Sequence, residues 1–238
     1  ELVLGNEDAA FTHLRKAAHL ADGAFLAGTL ALKRGSFTEA AKYLETAAQQ
    51  ENQLGQLFAK HDIVATLSLP VTEEVSVHVG PDIRGVLLAL AETYQGQERR
   101  QDAIDCLERL RQLEPHDVLV RLSLVELLMD TATEDREIAQ WVVQLAEGVE
   151  NESPLQTALL LYKAKALRTL GLSEAALEVL SKALNRKKDR SIDLLQALRY
   201  EQALVYEGLG QDQRARTELQ KLYAEDPDYE DVAAKLGL

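Results

Sequence analysis

The sequence predicts an all-α fold made of helical hairpins that stack on one another. The first observation is a repeated spacing, in which a glycine is followed by small and apolar residues at steps of five, four and three positions. A glycine that ends one helix, followed by an apolar stripe on the next, is typical of a helical hairpin that needs neighbouring copies to bury its face. The spacing occurs at Gly5, Ala10, Leu14 and Ala17; at Gly35, Ala40, Leu44 and Ala47; at Gly171, Ala176, Leu180 and Ala183; and at Gly210, Ala215, Leu219 and Leu222.

The second observation is the composition of the 238-residue chain, which is 46% hydrophobic but only 5% aromatic. This composition favours close packing of helices through alanine and leucine over a thick sheet-based core. The formal net charge is −13, from 26 lysines and arginines against 39 aspartates and glutamates. Because such a surface repels phosphate backbones and anionic lipid, nucleic acid and membrane surfaces are poor partner classes.

Upstream of three of the glycines lies a further pair of residues three positions apart, which share one face of the preceding helix. A small residue in such a pair lets the partner helix approach closely. The pairs are Gly28 with Ala31, Ala164 with Leu167, and Ala203 with Tyr206. Two degenerate units follow the same scheme, at Ala91, Tyr94, Ala103, Leu107, Leu110 and Pro115, and at Ala139, Val143 and Ala146. The sequence therefore predicts five hairpin units and a terminal helix.

These residues, with Pro115 and Pro227 closing two units, resemble the tetratricopeptide repeat (TPR) family, whose repeats are roughly 34 residues long. The resemblance implies a right-handed α-α superhelix that serves as a protein-interaction scaffold and needs no cofactor. It predicts a single array over residues 1–238. The expected parts are a half repeat 1–20, a repeat 21–52, an insertion 53–80, repeats 81–116, 117–152, 153–190 and 191–227, and a capping helix 228–238.

Two further expectations concern the protein to which this chain belongs. Residues 166–190 and 206–237 are also similar to the C-terminal repeat region of bacterial proteins that begin with a small β-rich domain of unknown function. The chain begins with Glu1, and its first unit supplies a second helix without most of a first helix. Because an exposed half repeat would leave an apolar face uncovered, we expect a fragment of a longer protein.

The distance from Ala40 to Ala103 exceeds one repeat of roughly 34 residues by about 29. Within this excess, residues 63–69 and 75–79 alternate between apolar and polar types, with Pro70 between the two runs. This period of two predicts a β-hairpin around residues 63–79. Two roles are open for it: a flap folded over the edge of the array, or an exposed strand edge that pairs with another chain in a homodimer.

Helix boundaries give three further predictions. Ser36 and Glu39 have the spacing of a capping box, and Ser153 with Pro154 predicts an N-cap followed by a proline in the first helical turn. Pro227 between two aspartates predicts a short last helix from Tyr229 to Lys235, which caps the final hairpin.

The sequence offers no constellation that predicts an enzyme. The five histidines, at positions 13, 19, 61, 78 and 116, lack the i, i+4 spacing of a helical metal pair, and no phosphate-binding glycine loop is present. Cys106 stands alone and is predicted to be a small buried apolar residue. The basic run from Arg186 to Arg190 is predicted to be a solvated helix end. We therefore expect no catalytic residue, no metal and no cofactor.

In the family that the chain resembles, the first helices of the hairpins line a concave groove that receives a peptide or protein segment. The resemblance places nine residues of this chain at the exposed groove positions: Leu88, Glu92, Gln95, Leu161, Lys165, Arg168, Tyr200, Leu204 and Glu207. One end of the groove is then expected to be basic. The alternative for all nine residues is packing against the next repeat or simple contact with water.

The predicted function is thus a protein-interaction scaffold that binds a peptide or protein segment. The alternative is a structural module that self-associates through the β-hairpin or the exposed terminal repeat. The sequence shows neither an apolar run of the ~20 residues that span a bilayer nor a secretion signal at its start. It therefore predicts no membrane insertion by this fragment and favours a cytoplasmic location.

Overall fold

The protein is described by a computed structural model, which covers residues 7–62, 66–70, 76–130 and 135–238. The described residues form mostly α-helices. The helices are α1 (Glu7–Ala17), α2 (Ala21–Lys33), α3 (Phe37–Gln49), α4 (Gln56–Lys60), α5 (Ile83–Gly96), α6 (Arg100–Leu113), α7 (Val118–Met129), α8 (Arg136–Leu145), α9 (Pro154–Thr169), α10 (Ser173–Leu184), α11 (Ile192–Gly208), α12 (Asp212–Glu225) and α13 (Val232–Leu236). The all-α prediction is confirmed. Gly5, in the first copy of the repeated spacing, lies outside the described residues.

The chain divides into two compact units, residues 1–115 and 116–238. In the first unit, α2 packs against α3 and α5 packs against α6, with α3 against α5. In the second unit the packed pairs are α7 with α8, α9 with α10, and α11 with α12. The predicted repeat boundaries stay a prediction, although the helices do pair in this order.

Glycine ends the first helix of several pairs for a conformational reason. Gly35, Gly171 and Gly210 have φ angles of 69°, 80° and 68°, in the left-handed region where a side chain is disfavoured. Ala40, Ala47, Ala176 and Ala183 of the repeated spacing have no solvent exposure and face the core, whereas Ala17 of the first copy is half-buried. The spacing read from the sequence thus corresponds to helix ends and to buried helix faces.

A two-stranded antiparallel sheet lies between α4 and α5, as the hairpin prediction requires. Strand β1 (Leu67–Pro70) pairs with β2 (Ser76–Val79), with Leu67 opposite Val79 and Pro70 opposite Ser76. The rest of the predicted hairpin, residues 63–65 and 71–75, lies outside the described residues. Before the sheet, the buried carboxylate of Asp22 accepts hydrogen bonds from the backbone N–H groups of Gly55 (2.5 Å) and Leu57 (2.8 Å). This contact ties the start of the insertion to α2.

The cap predictions have mixed outcomes. Ser153 and Gln156 form a complete capping box at the start of α9, with Pro154 in the first turn, as predicted. Ser36 precedes α3 but its side chain makes no capping hydrogen bond, so the predicted capping box is wrong. Backbone angles of φ −85° and ψ 62° place Ser36 outside the extended conformation usual for an N-cap.

The last helix begins three residues later than predicted, at Val232 instead of Tyr229. Val232 and Leu236 of α13 join Ala203, Leu219 and Leu222 in one buried apolar cluster. The short helix therefore covers the end of the α11–α12 pair, and residues 226–231 form the turn that leads into it.

Candidate functional site

The first helices of neighbouring hairpins contact one another within each unit, α2 with α5 in the first and α9 with α7 and α11 in the second. We use the term first-helix face for the surface of these helices in each unit. In the second unit α9 packs against both α7 and α11, so these three first helices are neighbours. Ala164 and Ala203 have no solvent exposure. Because their side chains are small, the second helix of each pair can approach closely.

Three of the nine predicted groove residues lie on α5 in the first unit. Leu88 is buried, with 5% of its surface exposed, so the prediction that it is exposed is wrong. Glu92 is half-buried, and burial raises the pKa of its carboxyl group. Gln95 is exposed. Of these three residues, Glu92 and Gln95 present polar groups that reach solvent.

Three more predicted groove residues lie on α9. Leu161 is buried, with 6% exposure, which again contradicts the prediction of an exposed side chain. Lys165 is half-buried, and its Nζ lies 5.3 Å from the centre of the Tyr162 ring. Among the described residues no carboxylate forms an ion pair with Lys165. Its ammonium group is therefore a charge that a bound segment could neutralise.

Arg168, also on α9, is held by the neighbouring first helix. Its Nε donates to Oε1 of Glu201 at 2.6 Å, and its Nη2 donates to Oε2 at 3.3 Å. The Glu201 side chain is 2% exposed, whereas that of Arg168 is 38% exposed. Because this carboxylate offsets the guanidinium charge, the expected basic end of the groove is reduced to Lys165.

The last three predicted groove residues lie on α11 and contact the C-terminal segment. The Tyr200 hydroxyl donates to Asp231 at 2.6 Å, and its ring meets that of Tyr229 edge to face at 5.8 Å between centres. Lys235 Nζ donates to Glu207 at 2.8 Å, and Leu204 is half-buried. Burial and the Asp231 hydrogen bond raise the pKa of Tyr200. Tyr200 and Glu207 thus hold the terminal segment in place.

The structure adds a group of residues that the sequence interpretation missed. Ser123, Glu126 and Asp130 lie on α7 or at its end, and Tyr162 lies on α9. Burial raises the pKa of Glu126 to about 7, and burial with the Glu126 and Asp130 charges raises the pKa of Tyr162 to about 12. The available signal was the spacing of three polar residues at i, i+3 and i+7 in and directly after the largely apolar segment VLVRLSLVELLM.

The basic run 186–190 differs from its prediction at one end. Arg190 is buried and donates to Lys188 O at 3.1 Å, to Asn151 O at 3.2 Å and to Thr157 Oγ1. Burial lowers the pKa of its guanidinium. Arg186, Lys187 and Lys188 are exposed as predicted. Arg190 therefore joins the turn before α11 to the start of α9 and is not a solvated cation.

Other sites of chemistry are sparse in the part of the chain that the structure describes. Cys106 is buried, and burial raises the pKa of its thiol to about 12, so the thiolate form is disfavoured. Within the described ranges no three histidine, cysteine, aspartate or glutamate residues are grouped so that they could hold a metal ion. No described helix combines the length and apolar character that crossing a membrane requires.

Comparisons with known proteins bear on the class of this chain. A family model described as the tetratricopeptide repeat matches residues 86–117 and 196–229, which contain most of the α5–α6 and α11–α12 pairs. A search of curated proteins found no match. The family model and the solved structures below support the TPR family, and they give no support to the expected likeness to bacterial proteins with an N-terminal β-rich domain.

Three solved structures show the extent of the likeness in fold. YrrB, described as a TPR protein with an unusual peptide-binding site, is 13% identical with a TM-score of 0.63, over 96% of this chain and 98% of that one. The N-terminal domain of the EccA1 ATPase from the ESX-1 secretion system of Mycobacterium tuberculosis is 17% identical with a TM-score of 0.59, over 96% and 80%. A thermophilic TPR protein from Thermus thermophilus is 18% identical with a TM-score of 0.51, over 92% and 100%. The TPR-like all-α class is thereby confirmed.

Proposed function

We propose that this chain is a protein-interaction scaffold that binds a peptide or protein segment against its first-helix face. The observation that carries the proposal is Lys165, a half-buried residue whose ammonium group lies beside an aromatic ring and has no ion-pair partner among the described residues. Charges without an ion-pair partner on a surface of packed helices favour a partner of complementary charge. The TPR matches support this class of function in general terms.

A displayed library of random 12-residue peptides, selected against the intact chain, tests the proposal. We expect binding peptides, and we expect Lys165→Glu to weaken them by about fivefold or more, because it removes the complementary charge. Lys187→Glu makes the same change of charge at an exposed residue outside the first-helix face and is the control. Fluorescence polarisation of labelled peptides measures both variants. Failure to recover any binding peptide, or equal binding by the Lys165 variant, would contradict the proposal.

Arg168 is a poor site for this test, although it is a predicted groove residue. Replacing it with glutamate would place a second carboxylate beside the buried Glu201. The resulting loss of stability would be difficult to separate from a loss of binding. The test therefore depends on Lys165 alone.

Self-association is a second candidate function, favoured by the two-stranded sheet. Both β1 and β2 have an outer edge with no further strand paired to it among the described residues. Such edges offer unpaired backbone groups to a strand of a second copy. Light scattering over a range of concentrations tests this candidate, and a monomeric mass at the highest concentration would exclude it. Val75, which belonged to the predicted edge, lies outside the described residues.

A further inference from the structure

One stripe of the first helices is covered to different extents in the two units. Gly28 on α2, Ala164 on α9 and Ala203 on α11 each precede a glycine of the repeated spacing by seven residues, which gives these helices a common register. The residues six and three positions before this small residue, and one and four positions after it, lie on one helix face. On α9 and α11 this stripe contains six of the predicted groove residues.

The stripe is closed on α2 and partly open on α9 and α11. All four residues of the α2 stripe are buried, with 8% exposure or less: Asp22, Phe25, Thr29 and Leu32. The four corresponding residues of α11 are half-buried: Ala197, Tyr200, Leu204 and Glu207. On α9 three of the four are half-buried, namely Ala158, Lys165 and Arg168. The first unit therefore covers a surface that the second unit leaves partly in contact with solvent.

A segment of the insertion lies at the Asp22 end of the α2 stripe. Residues 51–53 form a 3-10 turn, and both this turn and α4 contact α2. The Gly55 N–H donates to Oδ1 of Asp22 at 2.5 Å, and the Leu57 N–H donates to Oδ2 at 2.8 Å. We call residues 51–60 the docked segment. Its backbone gives a hydrogen bond to each carboxylate oxygen of a residue that is only 3% exposed.

Asp22 gives α2 an acceptor that three other first helices lack. In the same register, with Ala91 as the small residue of α5, the position of Asp22 is taken by Gly85 on α5, Ala158 on α9 and Ala197 on α11. None of these three residues has a polar side chain. Burying a carboxylate is unfavourable unless it is hydrogen-bonded, so the docked segment supplies the donors that allow Asp22 at this position.

The end of the insertion returns to the docked segment. Gly55 has a φ angle of 79°, in the left-handed region, and a Cβ atom added to it would lie 3.2 Å from the Pro81 carbonyl oxygen. Val79, the last residue of β2, is 2% exposed. The docked segment is therefore held between α2 and the part of the chain that enters α5, and the two strands belong to the loop that this contact closes.

We propose that the docked segment is an internal ligand of the first unit, which occupies the Asp22 end of the α2 stripe and keeps a partner segment from binding there. This inference rests on the proposed function for the role of the stripe, but the docking itself can be tested without a partner. The natural chain then captures its partner with the second unit. Release of the docked segment frees the Asp22 carboxylate to accept hydrogen bonds from backbone or basic groups of a partner segment.

Gly55→Pro releases the docked segment, because proline has no N–H group and cannot adopt a φ angle of 79°. Gly55→Asn is the matched conservative variant, since asparagine keeps the N–H group and tolerates the left-handed region. Amide hydrogen exchange of the intact chain, followed by NMR, measures the Leu57 N–H. We expect Gly55→Pro to accelerate its exchange by about tenfold or more and Gly55→Asn by less than about twofold. The amides of α9 should exchange equally in both variants if both are folded.

The peptide selection, repeated on the Gly55→Pro chain, tests the blocking role. We expect new peptides that bind Gly55→Pro about tenfold more tightly than they bind the natural chain or Gly55→Asn, because only the released chain exposes Asp22. Adding Asp22→Asn to the Gly55→Pro chain should weaken these peptides by about fivefold, since it removes the charged acceptor. Fluorescence polarisation of labelled peptides compares the four chains.

Equal exchange of the Leu57 N–H in the natural chain and in Gly55→Pro would overturn the docking contact. Lys165-dependent peptides on the natural chain, with none that prefer Gly55→Pro, would keep the scaffold and overturn the internal ligand. Peptides that prefer Gly55→Pro and depend on Asp22, with none recovered on the natural chain, would keep the internal ligand and contradict the proposed function. Recovery of no peptide on either chain would contradict both.

Discussion

Single side chains determine which charges remain available on the first-helix face. The Arg168–Glu201 pair joins α9 to α11 through two hydrogen bonds, and its carboxylate is almost fully buried. A buried ion pair contributes little over an apolar pair of similar size, but the loss of one partner leaves an uncompensated charge. The pair therefore acts in stability, and it leaves Lys165 without an ion-pair partner among the described residues.

Replacing Arg168 with methionine should lower the free energy of unfolding by about 3 kcal/mol, because Glu201 would stay buried without its partner. The double change Arg168→Met with Glu201→Leu should recover part of that loss, since it removes both charges together. Urea unfolding followed by circular dichroism measures both variants. A double variant less stable than Arg168→Met alone would contradict this account of the pair.

Glu126 should make the stability of the chain depend on pH. Its pKa rises from 4.5 to about 7 on folding, so the folded state holds this proton more tightly than the unfolded state between those values. The stability contribution is therefore present below pH 4.5 and is lost as the pH rises through 7. Allowing for partial exposure, the loss is about 2 kcal/mol.

Glu126→Gln isolates this effect from the other carboxylates, because glutamine does not titrate. The variant and the natural chain should be nearly equal in stability at pH 5, and the variant should be more stable at pH 8. Urea unfolding at the two pH values measures the difference between them. An identical difference at both pH values would show that the Glu126 pKa is not raised.

At the scale of elements, the helical hairpins depend on small residues at the helix crossings. A Cβ atom added at Gly28 of α2 would lie 2.6 Å from the Leu44 Cγ atom of α3, much closer than packed atoms tolerate. The small residue identified in the sequence therefore has a direct steric role. The sequence predicted a small residue at this position, but only the packed pair of helices shows how closely the Leu44 side chain approaches it.

Gly28→Ala should therefore lower the free energy of unfolding by about 1 to 3 kcal/mol, the usual cost of overpacking a core. Gly208→Ala on α11 is the control, because no atom lies within 4 Å of the added Cβ and alanine favours a helix over glycine. Thermal unfolding compares the two variants. Equal melting temperatures would contradict the tight crossing of α2 and α3.

For the whole molecule, the excess of acidic residues is the dominant electrostatic feature. Because the net charge is −13, the acidic side chains repel one another in the folded state. The exposed ion pairs of the described helices do little to offset this repulsion. In about 0.2 M sodium chloride the Debye length is below ~10 Å, so the repulsion between charges farther apart than this is largely screened. We expect screening to raise the melting temperature at pH 7 by a few degrees.

The same comparison near pH 4.9, the isoelectric point, is the control because the net charge is then close to zero. Salt should have little effect on the melting temperature there. Calorimetry at low and high sodium chloride measures both conditions. A salt effect as large at pH 4.9 as at pH 7 would show that net repulsion is not its cause.

The sequence alone determined the helical class, the hairpin insertion and the buried faces of most pairs. It could do so because the Gly–Ala–Leu spacing and the period of two are local properties of the chain. The same local logic failed at Ser36, where only the backbone angles of the turn decide whether the side chain reaches the helix.

Only the tertiary structure decided which first-helix residues are buried or paired. Leu88 and Leu161 are buried, Arg168 is paired with Glu201, and Glu126 lies beside Tyr162 without a counter-charge among the described residues. Each of these outcomes depends on side chains of another helix, at separations along the chain that no local pattern encodes. Burial and pairing are properties of the packed helices, and they arise only when distant segments meet.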